Sequence, residues 1–178
     1  MNDTAIGIEM VNLGDQPFTE DQIDSVSNLC RDLMLKFKIK PRNVVSHADI
    51  APGRKFDPSG YFDWKRFYKH LEVFGGLFES KLKPEEQRDI LLDSTSGKEK
   101  SDEILSLQKN LSDYGYKISQ TGMFENETRF VVEAFNRHFS PEIFVKEVVK
   151  NEKIIQRPDN QKWYKISQER LDYLLANK

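Results

Sequence analysis

The sequence predicts an α/β layer followed by a small all-helical unit. Three observations carry this. Residues 4–12 alternate apolar and polar in the two-residue period of a strand and are followed by a helical stripe and a short Val-Val segment. Residues 81–100 are polar and charged, the composition of a linker. Beyond Ser101 the apolar spacing is helical throughout.

Each element has its own local warrant. In the first segment Ile6, Ile8 and Met10 alternate with Gly7, Glu9 and Val11. A strand only about four residues from Met1 is unusual, because free termini ordinarily fray. Residues 17–39 read as a helix with Thr19 as N-cap and Gln22 completing a capping box. Ile23, Val26, Leu29 or Cys30, Leu33 and Phe37 form its apolar stripe, and Pro41 ends it. Residues 43–46 read as a second short strand centred on Val44-Val45. Asp63 is placed to cap a helix with Trp64, Phe67, Leu71 and Phe74 inward, stopped at Gly75-Gly76.

In the second half, Leu105, Leu107-Gln108 and Leu111 predict a helix that ends at Gly115. Thr121-Gly122-Met123-Phe124 is a turn, and Asn126 is placed to cap a helix with Phe130, Val131, Ala134 and Phe135 inward. A last helix from about Ser167 carries Leu171 and Leu174-Leu175. The domain boundaries expected are 1–80, a linker at 81–100, a helical module at 101–142 and a C-terminal extension at 143–178.

Composition narrows the function. The chain has 178 residues, with 27 basic against 29 acidic and a formal net charge of −2. No basic stripe interleaved with aromatics appears, so nothing favours nucleic acid as a partner. The single cysteine, Cys30, permits no intramolecular disulfide and no CxxC metal site, and its helical setting predicts a small buried apolar residue. No apolar run approaches the roughly 18 residues of a membrane span, and Met1-Asn2-Asp3-Thr4 lacks the features of a signal peptide. The chain taken alone is therefore expected in the cytoplasm.

The most informative stretch is Ser46-His47-Ala48-Asp49-Ile50-Ala51-Pro52-Gly53-Arg54-Lys55-Phe56-Asp57-Pro58. It sets a histidine, a lysine and a carboxylate in one loop braced by Pro52, Gly53 and Pro58, whose restricted backbone lowers the entropy lost on gripping a ligand. By spacing alone, a His followed ten residues later by an Asp is common. Taken as a unit, the run resembles the metal-site motif of the zinc-dependent N-acetylmuramoyl-L-alanine amidases, the family that includes phage lysozyme-type amidases and peptidoglycan recognition proteins. The resemblance implies a mixed sheet with flanking helices and one zinc ion held by three protein ligands, with an open position for water. It makes His47 and Asp57 zinc ligands, Lys55 the group that stabilises the oxyanion, and Glu9 the general base. Asn12 and Arg54 become candidate substrate contacts, and Asp49 a structural acceptor with Arg54 as its possible partner.

The same resemblance implies a first zinc-ligand histidine in a stretch preceding everything present here. His70 and His138 match no family ligand, and each is expected to be a surface or partly packed residue. The site is accordingly expected to be incomplete and the isolated chain weak or inactive. A truncated or split gene, an internal start and a partial chain all stay open as the reason.

The second half resembles the three-helix peptidoglycan-binding domain, on the Leu107-Gln108 pair, the Gly115-Tyr116 helix end, the Thr121-Gly122-Met123-Phe124 turn and Phe135-Asn136, where Gln is usual. Tyr114 and Tyr116 are then candidates for stacking on sugars. Together the two resemblances imply peptidoglycan or muropeptides as substrate and the bacterial cell envelope or periplasm as location. A non-catalytic peptidoglycan-binding protein and one half of a split amidase, completed by a separate fragment, are the alternatives. Glu9→Ala should abolish hydrolysis and leave wall binding intact, which separates enzyme from binder.

Overall fold

The structure, a computed structural model, describes residues 4–96, 99–146, 149–150, 153–154 and 158–177. It is mainly helical. Helix α1 (Glu20–Phe37) starts at the expected capping box: the Thr19 hydroxyl accepts from Gln22 N–H at 3.2 Å and the Gln22 side chain accepts from Thr19 N–H at 3.0 Å. It ends where Lys38 turns left-handed, before Pro41. A single turn, α2 (His47–Ile50), is capped by Ser46, and α3 (Trp64–Leu71) by Asp63, whose carboxylate accepts from Arg66 N–H at 2.8 Å. The α3 helix stops at Glu72, which is left-handed, rather than at Gly75-Gly76.

Two expected strands are not formed. Residues 5–13 carry no regular secondary structure, and of residues 43–46 Asn43 ends a 3-10 turn that starts at Pro41 while 44–46 join no sheet. The apolar alternation in 5–13 is real, but a strand exists only where a neighbouring strand takes up its backbone groups, and among the described residues no strand pairs with it; Val11 O instead accepts from the Gln22 side chain at 3.0 Å. The segment instead lays Met10 against the core and leaves Ile6, Val11 and Leu13 exposed. The mixed sheet expected for the first half is therefore absent among its described residues.

The predicted linker is structured. It holds a short helix, α4 (Pro84–Gln87), and a strand, β1 (Ile90–Leu92). Then come α5 (Asp102–Tyr114), α6 (Asn126–Phe139), β2 (Val149–Lys150), β3 (Lys153–Ile154), β4 (Trp163–Tyr164) and α7 (Lys165–Ala176). Strand β1 pairs antiparallel with β4, Ile90 opposite Tyr164 and Leu92 opposite Trp163, and β2 pairs antiparallel with β3. Both sheets have two strands. Helix α5 ends at Gly115 with φ +140, as its glycine predicts. Helix α6 has Asn126 as its first residue and Glu125 in the capping place, one position earlier than expected.

One apolar cluster joins the two halves. It takes Ile23 from α1, Phe67 and Leu71 from α3, Leu111 from α5, Phe135 from α6 and Leu174 from α7. Each such fully buried side chain contributes about 1.5–3 kcal/mol. Cys30 lies only partly buried at the edge of this cluster, and burial raises its thiol above its ordinary value. Arg66 fastens α3 to α1 through paired bonds to Asp24 at 2.7 and 2.8 Å and a contact with Glu20 at 3.0 Å.

Candidate active site

The loop that follows α2 is tied back on itself. Arg54 and Lys55 N–H both donate to Ala51 O at 3.0 Å, and Ala48 N–H donates to Asp57 O at 3.1 Å. The last of these sets the end of the loop against the start of α2. It brings the side chains of His47 and Asp57 together: Nδ1 of His47 lies 2.9 Å from Oδ2 of Asp57, with the two side chains 50% and 53% exposed. The imidazole N–H donates to the carboxylate.

This pair has the chemistry of two zinc ligands. Nitrogen and oxygen donors at bond lengths of about 2.0–2.1 Å around a tetrahedral ion stand about 3.3 Å apart. The observed 2.9 Å differs from that by a few tenths of an ångström, and both groups are open to solvent on one side. They fit two corners of a zinc site. Among the described residues no third His, Cys, Asp or Glu joins them.

Among the described residues no hydrogen bond or ion pair joins the other expected residues to this pair. Lys55 and Arg54 are exposed and, with Phe56, line the loop side of a cleft whose α6 side is Phe130, Glu133 and Arg137. Glu9 is exposed on the extended segment and makes no hydrogen bond or ion pair among the described residues. Asn12 spends its side chain on the turn that follows: its Oδ1 accepts from Gly14 N–H at 2.7 Å and its Nδ2 donates to Gln16 O at 3.3 Å.

Asp49 is not partnered by Arg54. Its buried carboxylate accepts from Ser46 N–H at 2.8 Å, the Ser46 hydroxyl at 2.6 Å, the Tyr116 hydroxyl at 2.6 Å and Nδ1 of His138 at 2.7 Å. Burial works to raise this carboxyl; the His138 ring and the two hydroxyls outweigh it and hold Asp49 below the ordinary carboxylate value. Tyr116 and Tyr68 are pushed well above the usual phenol value, chiefly by burial and further by the Asp49 charge, so both remain hydroxyl donors.

His138 is the residue that sequence reasoning missed. It was expected as a surface or partly packed residue and is 1% exposed. Its second nitrogen meets the Tyr68 hydroxyl at 2.7 Å, and its ring lies between Trp64, 3.6 Å away, and Phe139. With both nitrogens engaged it is no spare metal ligand. His70 lies instead beside Asp24 at 3.1 Å on the α1–α3 face. Tyr114 and Tyr116 are buried, so neither presents a ring for stacking on a sugar. No pattern in the sequence marked it: Asn136, Arg137 and His138 are polar, and only the structure buries every side chain from Ala134 to Phe139.

Residues 1–60 match the family described as N-acetylmuramoyl-L-alanine amidase (Amidase_2). The chain is 35% identical over 153 residues to the N-acetylmuramoyl-L-alanine amidase AmiD of Escherichia coli (strain K12), covering 81% of this chain and 52% of that protein. It is 46% identical over 72 residues to the 1,6-anhydro-N-acetylmuramyl-L-alanine amidase AmpD of Haemophilus influenzae, covering 40% of this chain and 39% of that one. A solved complex of AmiD from E. coli with the substrate anhydro-N-acetylmuramic acid-L-Ala-D-gamma-Glu-L-Lys superposes with a TM-score of 0.67 at 29% identity, over 98% of this chain and 62% of that chain. The chain thus spans about half the length, or less, of the curated relatives it matches. No described helix is long and apolar enough to cross a membrane.

Proposed function

We propose that this chain carries part of the active site of a zinc-dependent N-acetylmuramoyl-L-alanine amidase, acting on the amide between the lactyl group of N-acetylmuramic acid and L-alanine. The observation that carries this is the convergence of His47 and Asp57 at 2.9 Å inside the residues that match the amidase family. A zinc ion bound there supplies Lewis acidity and an acidified water. His47 and Asp57 hold it; Glu9 takes a proton from the attacking water and returns it to the leaving amine; the Lys55 ammonium faces the negative charge that grows on the scissile carbonyl oxygen. The substrate is peptidoglycan or a muropeptide, in the bacterial cell envelope.

With two ligands in place of three, the isolated chain holds zinc weakly and turns over slowly or not at all. One half of a split amidase is the second reading. It is favoured by the segment 5–13, where Ile6 and Ile8 are exposed and the backbone of residues 5–10 bonds to nothing among the described residues. Such an edge suits an added strand, and a separate fragment bearing a histidine would complete the ligand set.

The test is zinc affinity by competition with a chromophoric chelator, on wild type, His47→Ala and Asp57→Ala, beside hydrolysis of a muropeptide followed by mass spectrometry. Each substitution should remove measurable zinc binding, and Glu9→Ala should remove hydrolysis alone. Zinc bound equally by wild type and both variants would refute the assignment.

A further inference from the structure

We infer that His138, in the second half of the chain, is a positioning residue for the His47–Asp57 pair, and that α6 is the ledge on which the ligand loop is built. The inference rests on the amidase reading for its purpose, not for its geometry.

The turn that begins with His47 is only four residues long, too short to hold its own conformation. Its orientation is set by what grips it from outside. The grip is Asp49, two residues after His47, whose carboxylate takes His138 Nδ1–H and the Tyr116 hydroxyl in addition to its local bonds to Ser46. His138 cannot shift to follow a moving loop. Its ring is sandwiched between Trp64 and Phe139, and its far nitrogen is held by Tyr68 from α3. The constraint passes to Asp57 through the Ala48 N–H bond to Asp57 O.

A second contact from α6 steadies the same loop at its middle. Gly53, at φ +75, lies so close over the Phe130 ring that a Cβ there would stand 2.6 Å from the nearest ring carbon. Helix α6 therefore touches the loop on the His47 side and at its bend. A helical unit serving only to bind cell wall would have no need to send a buried histidine into the ligand turn. The second half instead works as part of the scaffold of the metal site, which accords with the similarity to AmiD running over 81% of this chain.

Two variants separate positioning from mere packing. His138→Phe keeps an aromatic ring between Trp64 and Phe139 and removes both hydrogen bonds. His138→Asn loses the ring but places an amide nitrogen where Nδ1 stood, restoring the donor to Asp49. The readouts are the nitrogen and proton resonances of the His47 ring in the metal-free protein, zinc affinity by chelator competition, and the urea midpoint. His138→Phe should shift the His47 resonances and weaken zinc by about tenfold, the lower end for a lost outer hydrogen bond. His138→Asn should recover most of both while being less stable than wild type. Unchanged His47 resonances and zinc affinity in folded His138→Phe would overturn the inference, as would losses in His138→Asn that equal those of His138→Phe. If His138→Phe does not fold, Tyr116→Phe removes the other distant donor to Asp49 and is judged on the same His47 signals. If wild type takes up no zinc, the chain by itself does not assemble the metal site, and the His47 resonances still decide whether His138 positions the loop.

Discussion

Gly53→Ala should destabilise the protein by about 1.5–4 kcal/mol, and the size follows from two separate terms. The backbone at Gly53 has φ +75, a conformation that costs an L-residue roughly 1–2 kcal/mol. The new methyl would also lie 2.6, 2.7 and 3.1 Å from three carbons of the Phe130 ring, where carbon atoms normally rest about 3.5–4.0 Å apart. Either the loop or the ring must yield by about an ångström, an overpacking of about 1–3 kcal/mol. The loss of unfolded-chain freedom on going from Gly to Ala returns about 0.4–1 kcal/mol. For a chain of this size the net is a fall in Tm of roughly 3–15 °C, read by calorimetry or circular dichroism. The decisive arm is the same substitution in a Phe130→Ala background. There the steric part disappears and the penalty should shrink by about 1–3 kcal/mol, leaving the backbone part. An equal penalty in both backgrounds would show that the loop does not rest on Phe130, and a neutral Gly53→Ala would show that the bend itself is wrong.

Two further outcomes test the scaffold. Gln108 is fully buried; its amide donates to Thr128 Oγ1 at 2.8 Å and Met123 O at 3.0 Å and accepts from Gly122 N–H at 2.8 Å, so Gln108→Ala should lose about 2–4 kcal/mol in urea unfolding, and a loss under about 1 kcal/mol would refute this network. The Arg66 guanidinium holds the Asp24 carboxyl below its ordinary value, so its contribution is complete above the unfolded carboxyl value of about 3.9 and fades as pH falls through the lower folded value. In a His70→Gln background, which removes the neighbouring imidazole, the stability gap between Asp24 and Asp24→Asn proteins should be level from about pH 7 to 5 and narrow below about pH 4. A gap that widens on acidification would reverse the assignment.

What could be read from the sequence was what a few neighbouring residues decide among themselves. The Thr19–Gln22 capping box, the Asp63 cap and the Gly115 stop each satisfy backbone groups within four residues, so their signals sit side by side in the chain. The juxtaposition of His47 and Asp57 was legible because the whole run from Ser46 to Pro58 resembles one motif, and its two ends meet in the structure at 2.9 Å. Pairings made across long separations left no such mark. Residues 81–100 look like a linker because their charges outnumber Ile90-Leu91-Leu92, and the strand these form depends on Trp163-Tyr164 far along the chain. The alternation in 5–13 was read correctly as a pattern and wrongly as a strand, since the pattern reports which faces differ and not whether a neighbour is there.

The Asp49–His138 contact shows why a site motif read alone gives ligands but not their support. A ligand must be held within about half an ångström of its working place, and a four-residue turn has no means of doing so. The holding group must come from a rigid element elsewhere, and its identity is set by the turn's exposed need: a buried carboxylate two residues from the ligand requires a donor. That requirement was present in the sequence as Asp49 inside an otherwise Ala, Ile and Pro run. Its answer lay 89 residues away in the one histidine that sits on a fully buried helix end. A carboxylate beside a candidate site histidine, in an apolar setting, is thus a reason to search the buried end of a distant helix for its partner.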